Sequence, residues 1–267
     1  MSCTVRSTIR TVTAALLIGV ATLAPLPANA GEAETQAILE GFVEDYRDDV
    51  MARNGTFGVR VDGEWWHVTT TGVESGGTPE SVTLHRGQPE EPTWFFWSDF
   101  ATLERLDQGT MNAGTAMVKA FSTDVTPMDV DAMEGFQPDE GYLERMLRAT
   151  FHFWVRGLPE VIPFGDAYTR PSHGADAVIF YYQPGLRSGW FSIKKGQHVN
   201  SDPRMQTNPF PSMLVITNGV GTAKIGGKEI QMEAGHTLFI PPGVTHEFWN
   251  DNDAPCYGIL LMFGEGA

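Results

Sequence analysis

The C-terminal part of the chain is a series of short apolar runs separated by turn residues. Asn218-Gly219 and Gly226-Gly227 are typical of hairpin turns, because these residues tolerate the backbone angles that tight turns require. The pattern predicts strands at residues 177–182, 189–194, 212–217, 221–225, 229–232, 237–240, 246–250 and 256–263. Short strands at this spacing predict a small all-β barrel or jelly roll over residues 176–267.

Residues 31–157 combine helical and alternating patterns. Apolar residues recur at helical spacing in residues 33–52, 112–121 and 139–156. Alternating segments predict strands at residues 56–61, 65–70, 81–85 and 93–97. We therefore expect an α+β domain, an antiparallel sheet with helices. Residues 122–138 predict a loop, and the Pro- and Gly-containing residues 158–175 predict a linker or arm.

The aromatic run Trp94-Phe95-Phe96-Trp97 stands out in the N-terminal half. Strand alternation places Trp94 and Phe96 on one face and Phe95 and Trp97 on the other. A sheet that is apolar on both faces needs cover from helices or from a ligand. The run therefore fits an apolar ligand cavity, and it fits ordinary core packing equally well.

Residues 1–30 have the pattern of a cleavable export signal. Arg6 and Arg10 precede an apolar stretch that is too short to span a bilayer, and Ala28-Asn29-Ala30 is a small-residue cleavage site. We expect cleavage after Ala30 and a periplasmic or secreted protein. No later segment is long and apolar enough for stable membrane insertion.

Charge and cysteine content exclude several classes of function. The net charge is −15, and loss of the leader's two arginines makes it two units more negative. Such a protein does not bind nucleic acid through basic patches. Once Cys3 leaves with the leader, Cys256 is the only cysteine, so an intrachain disulfide and a cysteine-rich zinc site are excluded.

Residues 235–250 carry the most specific motif of the chain. Gly235 is followed after five residues by Pro241, after one more by Gly243, after two by His246 and after three by Asn250. This spacing resembles the second signature motif of the cupin superfamily, and the resemblance covers roughly residues 177–267. It implies a double-stranded β-helix in which His246 is one of the metal ligands.

The first cupin motif, in contrast, lacks its usual ligands. When it is aligned on Gly219, the glutamate position falls on Ser212 and the two histidine positions fall on Gln206 and Asn208. Amide oxygens are poor ligands for transition metals. Alignment on Gly196 instead brings Asp202 and Arg204 to the two histidine positions.

The resemblance therefore leaves three uses of the barrel open. A divalent transition metal would need His246 together with Asp202 or His198 as unorthodox partners, so we commit to no cofactor. Without a metal, His246 and His198 are candidates for proton transfer. In a pure binding site, His246, Phe248, Gln206 and Asn208 would contact the ligand.

The N-terminal half is similar to a second family. The tryptophan pair Trp65-Trp66, the run 94–100, and the segment 116–121 occur in the order found in the sterol carrier protein fold. That resemblance implies an apolar tunnel for a lipid. We assign Trp65, Phe96, Met117 and Phe121 to its lining.

Two functions are consistent with these patterns. The first is an exported binding protein for a hydrophobic or small organic ligand, with a cupin domain that lacks a complete metal site. The alternative is a periplasmic cupin enzyme that acts on a small organic or sugar-derived substrate. In both cases we expect a homodimer through the cupin barrel, because barrels of this class often bury an exposed sheet edge by pairing.

Overall fold

The computed structural model describes residues 30–74, 76–157 and 159–267. The predicted leader, except for Ala30, lies outside these residues. The N-terminal half comprises α1 (Ala30–Tyr46), β1 (Gly55–Val61), β2 (Glu64–Thr71), β3 (Ser81–Arg86), β4 (Trp94–Ser98), α2 (Phe100–Asp107), α3 (Ala113–Met117), β5 (Met128–Ala132) and α4 (Tyr142–Arg148), which continues as a π-helical turn, Ala149–Phe153. None of the helices in these ranges is both long and apolar enough to cross a membrane.

The five strands of the N-terminal half form one sheet in the order β3-β2-β1-β4-β5. The prediction of an antiparallel sheet is wrong for one pair, because β4 runs parallel to β1. The reason is the connection 87–93. It leads from the end of β3, at one edge of the sheet, across to the other side of β1, where β4 begins. The predicted loop 122–138 contains β5, whose Met-Asp-Val-Asp-Ala sequence has too many aspartates for a strand signal.

One face of this sheet is covered by helices. In α1, Leu39, Phe42, Val43 and Tyr46 are almost completely buried, at the i, i+3, i+4 spacing that creates one apolar helix face. The helix ends before the predicted residue 52, because the Asp49 carboxylate accepts a hydrogen bond from the Met51 amide and closes a turn. Phe96 is fully buried in the resulting core.

The C-terminal half is almost entirely strand. It comprises β6 (Arg170–Ser172), β7 (Ala175–Gln183), β8 (Leu186–Ile193), β9 (His198–Val199), β10 (Ser212–Asn218), β11 (Val220–Ile225), β12 (Lys228–Glu233), β13 (Thr237–Ile240), β14 (His246–Trp249) and β15 (Cys256–Phe263). Eight of these ten are the predicted strands. β6 lies inside the segment predicted as a linker, and β9 has only two residues.

These strands form two sheets around an apolar core. The orders are β13-β10-β15-β8-β7-β6 and β12-β11-β14-β9, and the sheets are not hydrogen-bonded into one closed barrel. The expected double-stranded β-helix is thus present as a barrel-like pair of sheets. At the Asn218-Gly219 hairpin, a Cβ on Gly219 would lie 2.1 Å from the Pro255 carbonyl oxygen, so only glycine fits.

Side chains from both halves meet at β7. A bulge between Ile179 and Tyr181 interrupts the pairing of β7 with β8. The Asn112 amide donates to the Ile179 carbonyl at 2.7 Å, and the Ile179 amide donates to the Thr115 hydroxyl at 2.9 Å. The N-terminal turn of α3 is therefore bound to the backbone of the C-terminal half.

Candidate functional site

The motif turn places His246 at the first position of β14. Pro241-Pro242-Gly243 reverses the chain after β13, and Gly243 adopts a positive φ of 74°. The Gly243 amide donates to the Asn208 carbonyl, and the His246 amide donates to the Gln206 carbonyl, both at 2.8 Å. The segment aligned with the first cupin motif therefore lies against the turn that carries the histidine.

The His246 side chain faces the core between the two sheets. Only 4% of the residue is exposed, and its ring lies 5.7 Å from that of Phe248. Nδ1 is 3.0 Å from the Val244 carbonyl oxygen. Because a carbonyl only accepts, Nδ1 carries the hydrogen, and in the neutral ring Nε2 carries the lone pair.

The residues beside His246 do not fit a transition metal. Gln206, Asn208 and Ser212 supply amide and hydroxyl groups, and the Asn208 amide donates to the Ser212 hydroxyl at 3.4 Å. Within the described ranges no group of three or more His, Cys, Asp or Glu side chains could hold a metal ion. One imidazole among neutral oxygen donors is a weak site for such an ion.

The two side chains considered as partners of His246 are engaged elsewhere. The Asp202 carboxylate pairs with the Arg204 guanidinium at 2.6 Å, and this contact lowers the pKa of Asp202 to about 2. His198 pairs with Glu247 on the outer face of the four-stranded sheet, whereas His246 points inward. His198 and His246 thus lie on opposite faces of the sheet, and the Asp202 carboxylate is held by Arg204.

The space between the sheets is filled by apolar side chains. The buried cluster consists of Ala175, Phe191, Ile193, Val199, Leu214, Ile216, Ala223, Met232, Ile240, Phe248 and Cys256. Phe248, a predicted ligand contact, is 5% exposed within it. Burial also raises the pKa of the Cys256 thiol to about 11, so this thiol is unreactive at neutral pH.

A polar pocket of about 360 Å³ lies on the outer face of the four-stranded sheet. We call it the outer pocket; it is lined by Gly196, Gln197, His198, Lys224, Glu229, Glu247, Trp249 and Asp251. Strand register explains the grouping. In the strand register, Lys224 lies directly opposite Glu247 of β14 and opposite Glu229 of β12. Trp249 lies directly opposite His198 of β9.

The outer pocket combines one aromatic surface with several hydrogen-bonding groups. The His198 ring lies 5.5 Å from that of Trp249, and its Nε2 is 3.1 Å from Glu247 Oε2. In the described part of the chain, the Lys224 ammonium and the Glu229 carboxylate have no hydrogen bond or ion pair. Both charges are therefore available to a bound molecule.

The alternation along β14 was the sequence signal for this pocket. Glu247 and Trp249 fall on the face opposite His246 and Phe248, which strand geometry alone predicts. The contribution of His198 and Lys224 depends on the pairing of β14 with β9 and β11, which no local pattern reveals.

The residues assigned to a lipid tunnel lie in three different surroundings. Phe96 is fully buried, and its ring contacts those of Phe57, Trp94 and Trp154. Met117 packs against the same core. Trp65 lies on the other face of the sheet, 4.6 Å from the Phe95 ring. The Phe121 ring lies 4.5 Å below the Arg204 guanidinium.

Residues 189–262 match the family model of the cupin domain. This match and the barrel-like pair of sheets identify the C-terminal part of the chain as a cupin domain. The comparisons do not show the resemblance of the N-terminal half to sterol carrier proteins, which stays a prediction. No curated protein sequence matches the chain.

Several solved structures are similar to the C-terminal part. One is a cupin 2 conserved barrel domain protein from Salinispora arenicola, with 16% identity over 39% of this chain and 88% of that chain and a TM-score of 0.35. Another is a predicted oxalate decarboxylase from Thermotoga maritima, with 14% identity over 33% of this chain and 79% of that chain and a TM-score of 0.31.

Proposed function

We propose that this protein is an exported binding protein for a small polyhydroxylated molecule, such as a sugar, and that the outer pocket is its binding site. The observation that carries the proposal is the aromatic face of Trp249 beside the charges of Lys224 and Glu229, neither of which has an ion pair in the described part of the chain. An aromatic ring offers a flat apolar surface to the C–H face of a sugar. Carboxylates accept hydrogen bonds from hydroxyls, and an ammonium donates to them.

The size and polarity of the outer pocket favour this ligand class over a lipid. A volume of about 360 Å³ is at the small end of ligand sites, which suits one or two sugar rings. A lipid pocket would need a mostly apolar lining, whereas here charged and amide side chains predominate. The outer pocket is also the polar face of the cupin domain, whereas the face between its sheets carries a cluster of buried apolar side chains.

One observation favours an enzyme as the second candidate. His198 and Glu247 form a histidine–carboxylate pair at 3.1 Å inside the outer pocket. Such a pair can take a proton from a substrate hydroxyl and return it. The substrate would again be a small polyhydroxylated compound.

The test begins with purified protein and a panel of monosaccharides, disaccharides and sugar acids, examined by saturation-transfer NMR. Binding followed by recovery of unchanged ligand supports the binding protein. Binding with conversion, abolished by His198→Ala, supports the enzyme. Absence of binding across the panel contradicts both.

Export is tested separately by the mass of the protein recovered outside the cytoplasm. We expect a chain that begins at Gly31. A full-length mass there would contradict the predicted cleavage after Ala30.

A further inference from the structure

A second pocket, distinct from the outer pocket, lies where the two halves of the chain meet. Its volume is about 580 Å³, and we call it the junction pocket; its lining is Trp97, Ser98, Asp99, Val125, Thr126, Pro127 and Arg170. The C-terminal end of β4 supplies one wall, the segment before β5 the second, and β6 the third. The site therefore exists only when both halves are in place.

Thr126 contributes an unpaired polar atom to the junction pocket. The residue is 3% exposed, and its hydroxyl oxygen has no hydrogen-bond partner within the described ranges. A buried hydroxyl without a partner is costly, and native proteins rarely keep one without a reason. A ligand in the junction pocket would supply the missing partner.

Arg170 contributes a positive charge whose position is fixed by hydrogen bonds. Its Nη1 donates to the carbonyl oxygens of Thr115, Ala116 and Val118, at 3.2, 2.8 and 3.1 Å. These bonds fix the guanidinium against the end of α3. Its other nitrogens make no hydrogen bond within the part of the chain that the structure describes, so they remain available as donors to a carboxylate.

The charge around Arg170 favours an anionic group. Burial and the nearby Arg105 guanidinium both lower the pKa of Arg170, so a second positive charge lies close by. Arg105 has no ion pair within the described ranges. In a protein with a net charge of −15, a guanidinium in the pocket wall with a second guanidinium near it marks a site for a negative group.

Asp99 adds the opposite charge to the same pocket. One carboxylate oxygen caps α2 by accepting from the Thr102 amide at 2.8 Å. The second makes no hydrogen bond within the described ranges and can accept from a ligand. Between the two charges lie the apolar surfaces of Trp97, Val125 and Pro127, and Val125 is 88% exposed.

We propose that the junction pocket binds a small zwitterion with an apolar body, such as a free α-amino acid. The carboxylate contacts Arg170 and Thr126, the ammonium contacts Asp99, and the side chain packs against Trp97 and Pro127. Occupancy would satisfy the Thr126 hydroxyl and cover Val125, the most exposed apolar residue of the pocket.

The experiment uses the full chain and isothermal titration with three probes: L-phenylalanine, 3-phenylpropionate and phenethylamine. We expect L-phenylalanine to bind, and each analogue, which lacks one charged group, to bind at least about tenfold more weakly. A titration with L-leucine reports how strongly the apolar wall prefers an aromatic to an aliphatic side chain. Equal affinity for the three aromatic probes, or no binding at millimolar concentration, overturns the proposal.

Two conservative variants separate binding from folding. Thr126→Val removes the hydroxyl at constant shape, and Asp99→Asn removes the charge while asparagine still caps α2. We expect each to weaken L-phenylalanine binding about tenfold with no loss of thermal stability in the ligand-free protein. Thr126→Val should raise that stability, because it removes a buried hydroxyl that has no partner within the described ranges. Unchanged affinity in both variants contradicts the proposal. Trp249→Ala, in the outer pocket, should leave this affinity unchanged, which separates the proposal from the sugar site.

Discussion

Nε2 of His198 lies 3.1 Å from Oε2 of Glu247, on the outer face of the four-stranded sheet. The next residue along β14 toward its start, His246, points to the opposite face, as strand geometry requires. The family motif draws attention to His246, which lies among apolar side chains. The chemistry available to a solute is on the other face, around His198 and Trp249.

The buried His246 has a structural role in this account. Replacing it by alanine removes the hydrogen bond to the Val244 carbonyl and leaves a small cavity beside Phe248. We expect His246→Ala to lower the free energy of unfolding by about 1–3 kcal/mol, measured by urea denaturation. Elemental analysis should give the same background metal content for both proteins. Stoichiometric Fe, Mn, Ni, Zn or Cu in the wild type, lost in the variant, would contradict this role.

A hydrogen-bonded relay of three side chains also links the two halves, with Asp49 buried and His152 and Tyr181 half-buried. Nδ1 of His152 donates to the Asp49 carboxylate at 2.9 Å, and Nε2 of the same ring shares a hydrogen bond of 2.8 Å with the Tyr181 hydroxyl. Burial alone would raise the pKa of Asp49, but the hydrogen bonds from His152 and Met51 outweigh it and the pKa is lowered.

Removing the hydroxyl of Tyr181 tests that relay. We expect Tyr181→Phe to lower the free energy of unfolding by about 0.5–1.5 kcal/mol in urea denaturation, the usual worth of one hydrogen bond. Tyr182→Phe is the matched control, because the Arg187 guanidinium lies over the Tyr182 ring and phenylalanine keeps that contact. Equal effects of the two variants would show that the relay contributes nothing to stability.

Glu160 predicts a pH dependence of stability near neutrality. Burial raises the pKa of Glu160 from 4.5 to about 7 in the folded protein. The folded state therefore holds a proton that the unfolded state has lost between these values. Stability is greatest below the unfolded pKa and falls as the pH rises through the folded pKa.

The variant Glu160→Gln should remove this loss. We expect a higher melting temperature than the wild type at pH 8 and an equal one at pH 4, by differential scanning fluorimetry. Glu140→Gln, at an exposed position, makes the same change in net charge and serves as the control. A variant that is no more stable than this control at pH 8 would refute the assignment.

The homodimer expected from the sequence stays a prediction, and the structure suggests where to test it. β13 is an edge strand of the six-stranded sheet, and its Phe239 is 54% exposed. A lysine on such an edge opposes strand pairing between copies. We expect light scattering to give a dimer for the wild type and a monomer for Phe239→Lys, with Leu143→Lys, at another exposed apolar position, still dimeric. A monomeric wild type would contradict the prediction.

The two halves differ in how much the sequence predicted. In the cupin half, turn residues separate eight strands so clearly that their bounds are close to those observed. β9 was not predicted, because a strand of two residues is too short to show an alternating pattern. In the N-terminal half four of the five strands were predicted, and β5 was not. The parallel orientation of β4 depends on a long-range pairing with β1, which no local pattern reveals.

The candidate sites follow the same division. That Glu247 and Trp249 face away from His246 was predictable from alternation. The junction pocket was not, because Arg170 and Thr126 come from segments that the sequence suggests are a linker and a loop. Their meeting depends on the bond network between α3 and β7.

The most direct test of the account is the affinity of the best-binding sugar for wild-type protein and for Trp249→Ala, measured by isothermal titration. Trp65→Ala is the control, since it removes a partly buried tryptophan from the other half. His198→Ala breaks the histidine–glutamate pair inside the outer pocket. Its control is His236→Ala, which breaks an exposed histidine–glutamate pair outside the pocket. We predict at least about tenfold weaker binding for Trp249→Ala and His198→Ala, and unchanged binding for both controls. Unchanged binding in Trp249→Ala and His198→Ala would contradict the assignment of the outer pocket.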